Sequence, residues 1–528
     1  MHYNKRESKE KQTFSNIVKN CFIIICQNCL KKILYCTAAM ENEQRIVTED
    51  YSEIIQRLPF SLKLSYGIGH VLNDICASIW FTYLLVYFHL VLGFNATLAG
   101  IVLLIGQIAD ALATPFVGFH SDKSDDFWLC RYGRRKTWHL IGTLCVLFAF
   151  PFIFSHCIGC ETAHQWAQLI YYAAFVIIFQ FGWAAVQISH LSLVPELTPT
   201  EFERTELIAL RYSFTVLSNV FVYCITWAVL HITNTKDSSS QIGPNDGKKF
   251  QEVVFIGIAM GTVTSILFHI FVKENLVNNS NGSLRRNSRA ISLLLKDVQL
   301  YQVACVYMPT RLFVNLSQIY IPLYLHISLN MPATSLAIIP LIMYLSSFVT
   351  SLIIEKLNTK LGRKISYCVG VVLGICACIW IQFDTSLTYT KYEIYPVSLL
   401  LGSAGSIVLV TSLGVTADFI GQNVDSGAFV YGVMSFTDKL CNGLAVMFIQ
   451  YLSCWGDCKR YYRGVLVYVC GTCAIFGLLM ILYIKPFRHN TAYSTLHSEQ
   501  TAGYDNVFVA AVTTENEPNN SLEPQNVT

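Results

Sequence analysis

The clearest charged residues in the middle of long apolar runs of this chain are six: Asp74, Asp110, Arg211, Arg311 and the neighbours Asp438 and Lys439. An ionised side chain surrounded by hydrocarbon costs several kcal/mol unless it is paired or faces water, so such groups mark a polar cavity, a proton site or a binding site. Three acids against three bases balance their own charge. An acid beside a guanidinium is also what a zwitterion requires, the carboxylate taking the ammonium and the guanidinium holding the carboxylate in a two-pronged fork. Asp74 and Arg211 are the expected pair for that task, with Arg311 as the alternative clamp and Asn315 and Gln318 on its helical face. Asp110 and Lys439 read as a charge pair, with Asp438 beside it. His70, one helical turn before Asp74, is either a proton acceptor or a satisfied polar group. Trp80, Tyr83, Trp183 and Tyr320 shape a pocket or simply pack.

Helices must position these groups, because 53% of the 528 residues are hydrophobic and only 13% are charged. Soluble domains carry about a quarter charged residues, so this surface belongs in lipid. Apolar runs at 64–90, 97–119, 137–156, 167–193, 207–231, 252–272, 298–327, 333–354, 364–382, 394–420, 427–452 and 464–484 are each long enough to span a bilayer. The expected fold is an all-α polytopic membrane protein with twelve transmembrane helices in two six-helix halves. Residues 1–60 form an N-terminal tail, 61–272 the first half, 273–297 a polar central loop, 298–485 the second half and 486–528 a C-terminal tail. The apolar stretch within CFIIICQNCLKKILYC (21–36) is too short to span, so it reads as tail, or translation starts at Met40. Basic residues such as Arg131, Arg134, Arg135, Lys136, Arg285, Arg286, Lys360, Arg363 and Lys364 crowd alternate loops, which puts both tails in the cytosol. A net charge of +3 is too small to suggest nucleic acid as a partner, and the bilayer is the expected one. No loop carries a nucleophile–base set, a phosphate loop or metal-ligand spacing, so an enzyme, a metal site and a cofactor are all disfavoured. Most of the 19 cysteines sit in apolar runs as small buried groups. Cys157 with Cys160, and Cys454 with Cys458, lie in loops on one face and either pair on an oxidising side or stay free.

A weak internal repeat ties the halves together: GFHSDKSDDFWLCRYGRRK follows the second run and EKLNTKLGRK follows the eighth. Parallel six-helix repeats with such a basic loop build the major facilitator fold, whose substrate sites lie between the halves near the membrane midplane. Asp122, Gly133, Arg134 and Arg135 of the first loop are the expected gate and conformational lock. The blocks LSYGIGHVLNDICASIW (64–80), QIADALATPFVGFHSD (107–122), LVPELTPTEFERTELIALR (193–211) and VYGVMSFTDK (430–439) resemble the glycoside-pentoside-hexuronide:cation symporter branch of the major facilitator superfamily. The resemblance implies that Asp74 is a substrate-contacting acid, Arg211 its helix-five partner, Asp110 a cation-site acid and Lys439 the lysine reaching toward it. Two sodium-site acids of that branch are replaced here by Thr114 and Gln187, which points to H⁺ coupling or to none. Longer blocks, CRYGRRKTWHLIGTLCVLFAFPFIFSHCIGC and DSGAFVYGVMSFTDKLCNGLAVM among them, resemble a lysosomal and melanosomal group within the superfamily. That resemblance covers about residues 60–485 and implies a transporter moving cysteine from cytosol to lumen. Tyr493-Ser-Thr-Leu496 in the C-terminal tail has the form read by clathrin adaptors for lysosomal sorting. The alternatives are a cation-coupled symporter of sugars or other small organic solutes at the plasma membrane, and a non-transporting receptor or scaffold.

Overall fold

The computed structural model describes residues 58–484 apart from 123–131, 161, 199–200, 233–240, 275–295, 384–385, 387, 421–423 and 454–457. Every regular element among them is helical. The long helices are α1 (Phe60–Val91), α2 (Ala96–Asp122), α3 (Arg134–Ile153), α4 (Gln165–Ser192), α5 (Glu201–Ile232) and α6 (Gly247–Phe271), followed by α7 (Val298–Leu323), α8 (Ser335–Leu361), α9 (Arg363–Phe383), α10 (Ile394–Ile420), α11 (Val424–Leu452) and α12 (Lys459–Tyr483). Ten of the described helices are long and apolar enough to cross a membrane. The two that fall short of that hydropathy are α7, which carries Arg311, and α11, which carries Asp438 and Lys439. Polar side chains aimed at an interior lower a helix's mean hydropathy without removing it from the bundle. Large apolar side chains cover the outside, with Phe383 83% and Ile170 72% exposed, as a lipid-facing surface requires.

The two halves share their main helix packings. In the first, α3 crosses α4, α2 lies along α4, and α1 packs on α5 and α6; in the second, α9 crosses α10, α8 lies along α10, and α7 packs on α11 and α12. Both α1 and α7 end in a π turn, at Tyr87–Val91 and Tyr324–Ser328. Between the halves α1 meets α7, α2 meets α11 and α5 meets α8, pairs that exchange under the same six-helix shift. Small residues set how close helices come: a Cβ on Gly142 of α3 would stand 2.7 Å from the Gly182 carbonyl of α4.

Contacts between halves gather from mid-bundle to the end that holds Asn95 and Asn330. There Tyr83 donates to the Leu336 carbonyl, Gln241 to Asn330, and Gly100 and Gly443 lie against Met447 and Gln107 across α2 and α11. At the opposite end a Cβ on Gly118 of α2 or Gly432 of α11 would meet nothing within 4 Å. A disulfide joins Cys157 and Cys160 after α3, while the Cys454–Cys458 pairing lies outside the described residues.

Candidate functional site

Helices α1 and α5 run parallel and are joined by a four-rung polar ladder. Its rungs are His70 to Arg211, Asp74 to Thr215, Ser78 to Asn219 and Thr82 to Tyr223. Partners recur every four residues on each strand of the ladder, one turn apart, so a single helical face carries all of them. Arg211 donates from a terminal nitrogen to His70 Nε2 at 3.0 Å, and Thr215 Oγ1 donates to Asp74 Oδ2 at 2.9 Å. His70 Nδ1 stands 3.0 Å from Asp74 Oδ1, at ion-pair distance but outside hydrogen-bond alignment. Asp74 and Arg211 therefore meet through the imidazole. The Arg211 Nε is buried without a protein partner, which leaves that guanidinium edge available. Helix α1 is interrupted at Gly69 and His70, immediately before the segment that carries Asp74. The sequence signal for the ladder is the four-residue polar spacing at 70, 74, 78, 82 and 211, 215, 219, 223, of which only His70, Asp74 and Arg211 are legible as chemistry without the partner helix.

A second set lies on the equivalent helices of the other half. Arg311 of α7 donates Nε to Asp438 Oδ2 of α11 at 2.8 Å, and Asn315 and Asn442 donate to Asp438 Oδ1 at 3.4 and 2.6 Å. The order is reversed: α1 carries the acid and α5 the base, whereas α7 carries the base and α11 the acid. Asp438, grouped in the sequence with Asp110 and Lys439, pairs with Arg311 instead. Consecutive residues on a helix point about 100° apart, so Asp438 and Lys439 address different neighbours.

Lys439 reaches across to the first half, where its Nζ donates to Asp110 Oδ1 at 2.7 Å and to Thr114 Oγ1 at 2.8 Å. Thr114 Oγ1 in turn donates to the Asp110 backbone carbonyl at 2.9 Å and lies 3.2 Å from Asp110 Oδ1, so a hydroxyl and an ammonium flank the one carboxylate. Beside Asp110 a narrow recess of about 10 Å³, room for one water-sized group, is lined by Trp80, Gln107, Gln180 and Trp183. The indole N–H groups of Trp80 and Trp183 are buried there without protein partners. Gln187, half-buried on α4, joins none of the three clusters by a hydrogen bond. Gln318 bridges the halves by donating to Thr82, and Tyr320 donates to the Val446 carbonyl.

The basic loops have matching geometry in both halves. Gly133 and Gly362 take positive φ, 120° and 79°, and open α3 and α9 directly before Arg134 and Arg363. Arg135 and Arg134 lie 3.0 and 3.7 Å from Glu196, and Arg363 holds Asp418 with both prongs. Glu274 accepts the backbone N–H groups of Arg135 and Lys136 at the α3 N-terminus, where the helix dipole favours an anion. A Cβ on Gly133 would stand 2.5 Å from that carboxylate, so only glycine fits. Burial pushes the Glu196 carboxyl above its ordinary range; Arg135 pulls it down, Glu274 pushes it up again and Arg134 opposes. Asp122 ends α2, but its side chain, like Tyr493 and Leu496, lies outside the described residues.

A family profile described as MFS/sugar transport protein matches residues 65–456, which spans all three clusters. The chain belongs to this family of major facilitator membrane transporters. It is 43% identical over 459 residues to major facilitator superfamily domain-containing protein 12 of Homo sapiens and 42% identical over 457 residues to that of Mus musculus. The alignments cover 81% and 82% of this chain and 95% of each relative. Among solved structures, a D-xylose-proton symporter superposes with a TM-score of 0.63 at 14% identity, over 81% of this chain and 98% of that one. At that identity the likeness speaks to the fold, the twelve-helix bundle described above.

Proposed function

We propose that this transporter carries a small zwitterionic amino acid, cysteine being the candidate, from the cytosol into the lumen of a lysosome or melanosome-like organelle by proton-linked alternating access. The observation that carries the reading is the pair of oppositely ordered acid–base sets, Asp74 with Arg211 and Asp438 with Arg311, on helices that exchange under the six-helix shift. In this reading Arg211 takes the cargo carboxylate and Asp74 its ammonium, with Arg311 and Asn315 facing them from the second half. Asp110, Lys439 and Thr114 form the coupling pair that rearranges as the halves rock. With Thr114 and Gln187 where related symporters carry sodium-site acids, no carboxylate cage for Na⁺ remains. Gly133, Arg134 and Arg135 serve as the gate on the cytosolic side, where the central loop 273–297 and both tails also lie. The cargo's identity and the organelle rest on the resemblance of the quoted sequence blocks, and the Tyr493–Leu496 pattern supports sorting by clathrin adaptors.

A second reading, a symporter of sugars or other organic solutes at the plasma membrane, is favoured by the family's sugar-transport description. Uptake of labelled L-cysteine, L-cystine and D-xylose into isolated lysosomes, with and without this chain and before and after collapsing the pH gradient, separates the two. L-cysteine uptake that depends on the chain and on the gradient is expected; uptake of D-xylose alone would overturn the cysteine assignment.

A further inference from the structure

His70 occupies a position that none of the cargo chemistry above uses. It lies at the break in α1, 3% exposed, between the acid and the base assigned to the cargo. Arginine has N–H donors and no acceptor, so the Arg211 contact at 3.0 Å requires a lone pair on His70 Nε2. The imidazole is therefore neutral in this arrangement and carries its proton on Nδ1, the nitrogen 3.0 Å from Asp74. A second proton has one place to go, Nε2, and it can bind there only when the guanidinium withdraws.

Two further imidazoles pack near His70 with their own partners. On α4, His190 Nε2 lies 2.8 Å from the Tyr66 carbonyl, and on α3, His139 Nε2 lies 3.2 Å from the Gly69 carbonyl. Both must donate there, which fixes their tautomers. His139 Nδ1 then accepts from His269 Nε2 of α6 at 3.0 Å, and the Tyr132 hydroxyl lies 3.0 Å from His269 Nδ1. The His139 ring stays neutral while its Nδ1 accepts from His269, and His190 Nδ1 is buried without a protein partner. From α1 itself Asp74 faces His70, from α5 Arg211 and from α4 His190, and from α8 Tyr344 stands near Asp74. Among the described residues, Asp74 is the one anion in reach.

We propose that His70 is a proton-operated release switch: protonated at Nε2, it becomes the counter-ion of Asp74 and excludes the cargo's ammonium, so that proton and cargo occupy the site in turn. This deepens the reading of Asp74 and Arg211 as a zwitterion site and rests on it. On the neutral side His70 is capped by Arg211 and leaves Asp74 free to take an ammonium. On an acidic side a proton from water binds Nε2, the imidazolium closes on Asp74 and repels the Arg211 guanidinium, and the cargo leaves. The proton returns with the empty carrier and is lost to water on the neutral side, one proton moving out for each cargo molecule moving in. Coupling of this sign is exchange rather than symport, and it drives accumulation in an acidic compartment.

The test uses the purified full chain in lipid nanodiscs with L-cysteine as probe, whose ammonium and carboxylate keep their charges between pH 5 and 7.5. Calorimetry in two buffers of different ionisation enthalpy should show Kd weakening at least about tenfold from pH 7.5 to pH 5, with net proton release on binding at the acid end, because linkage is reciprocal. In H70Q, whose amide oxygen still accepts from Arg211, the pH dependence should fall below about twofold. The same pH dependence and proton release in H70Q would overturn the switch. If L-cysteine binds at neither pH, the cargo assignment fails and the switch is read without cargo. Histidine-selective ¹⁵N spectra of the unliganded chain, with His70 assigned by its loss in H70Q, should show an Nδ1–H tautomer at pH 7.5 and a doubly protonated ring by pH 5. A His70 that stays neutral at pH 5 would overturn the switch whatever the cargo.

Discussion

Arg211 donates to His70 and not to Asp74, and its Nε edge, buried without a protein partner, is the part of the guanidinium left to take a carboxylate. Lysine offers a point charge where arginine offers a planar fork, and Arg211→Lys is expected to lower kcat/KM for L-cysteine at least tenfold, or about 1.4 kcal/mol. Uptake by R211K with unchanged affinity would remove the clamp from the mechanism. Asp110 and Lys439 are 4% exposed and partly buried, and at 2.7 Å each is the other's counter-ion. Removing one partner of a buried pair strands the other at about 3–5 kcal/mol, whereas removing both leaves no orphan charge. D110N or K439A alone should therefore lower the melting temperature of the purified protein more than the double variant does. Melting losses that simply add would show that the two do not act as a pair. Thr114 adds a neutral acceptor for the Lys439 ammonium at 2.8 Å beside that one acid.

At the scale of elements, the ladder between α1 and α5 and the Glu196 cluster do different work. The ladder fixes the register of two parallel helices, because a slip of one residue would break all four rungs together. The Glu196 cluster joins the start of α3 to the end of α4 through a carboxyl whose proton affinity burial has raised. An acid with a raised folded-state pKa holds its proton more tightly in the native state than in the unfolded one. Stability from that group is present below its ordinary value of 4.5 and is lost as pH rises through the folded value. The melting temperature of E196Q relative to the wild type should accordingly increase from pH 4.5 to pH 7, as read by thermal shift in detergent. A difference that shrinks over that range would mean that Arg134 and Arg135 outweigh burial.

For the whole molecule, the halves touch on one side of the Asp110–Lys439 level, and on the other a Cβ at Gly118 or Gly432 would meet nothing within 4 Å among the described residues. Alternating access requires the reverse arrangement as well, and glycines on the two sides sample the two states. A Cβ on Gly443 would stand 2.9 Å from Leu104, so G443L should wedge the closed end and abolish transport while raising labelling of a cysteine introduced at Leu336, which is buried where the halves meet at that end. G118L meets nothing in the state described here, so its melting temperature should stay within about 2 °C of wild type. It should still lose transport, because the α2 and α11 ends must close over that position. G118L with full transport would show that these ends stay apart throughout the cycle.

The helices, their number and the six intramembrane charges were legible from the sequence because bilayer thickness and the cost of buried charge act on each span separately. The repeated Gly-Arg turn likewise announced a two-part fold, since positive φ before Arg134 and Arg363 is a local requirement. The pairing of those charges was decided only in three dimensions. Asp438 and Lys439 are neighbours in the chain but serve opposite halves, as a 100° turn per residue dictates, and His70 acquires its meaning from Arg211, 141 residues away. Local physics places a charge in a helix, whereas its partner is set by which helices the halves bring face to face.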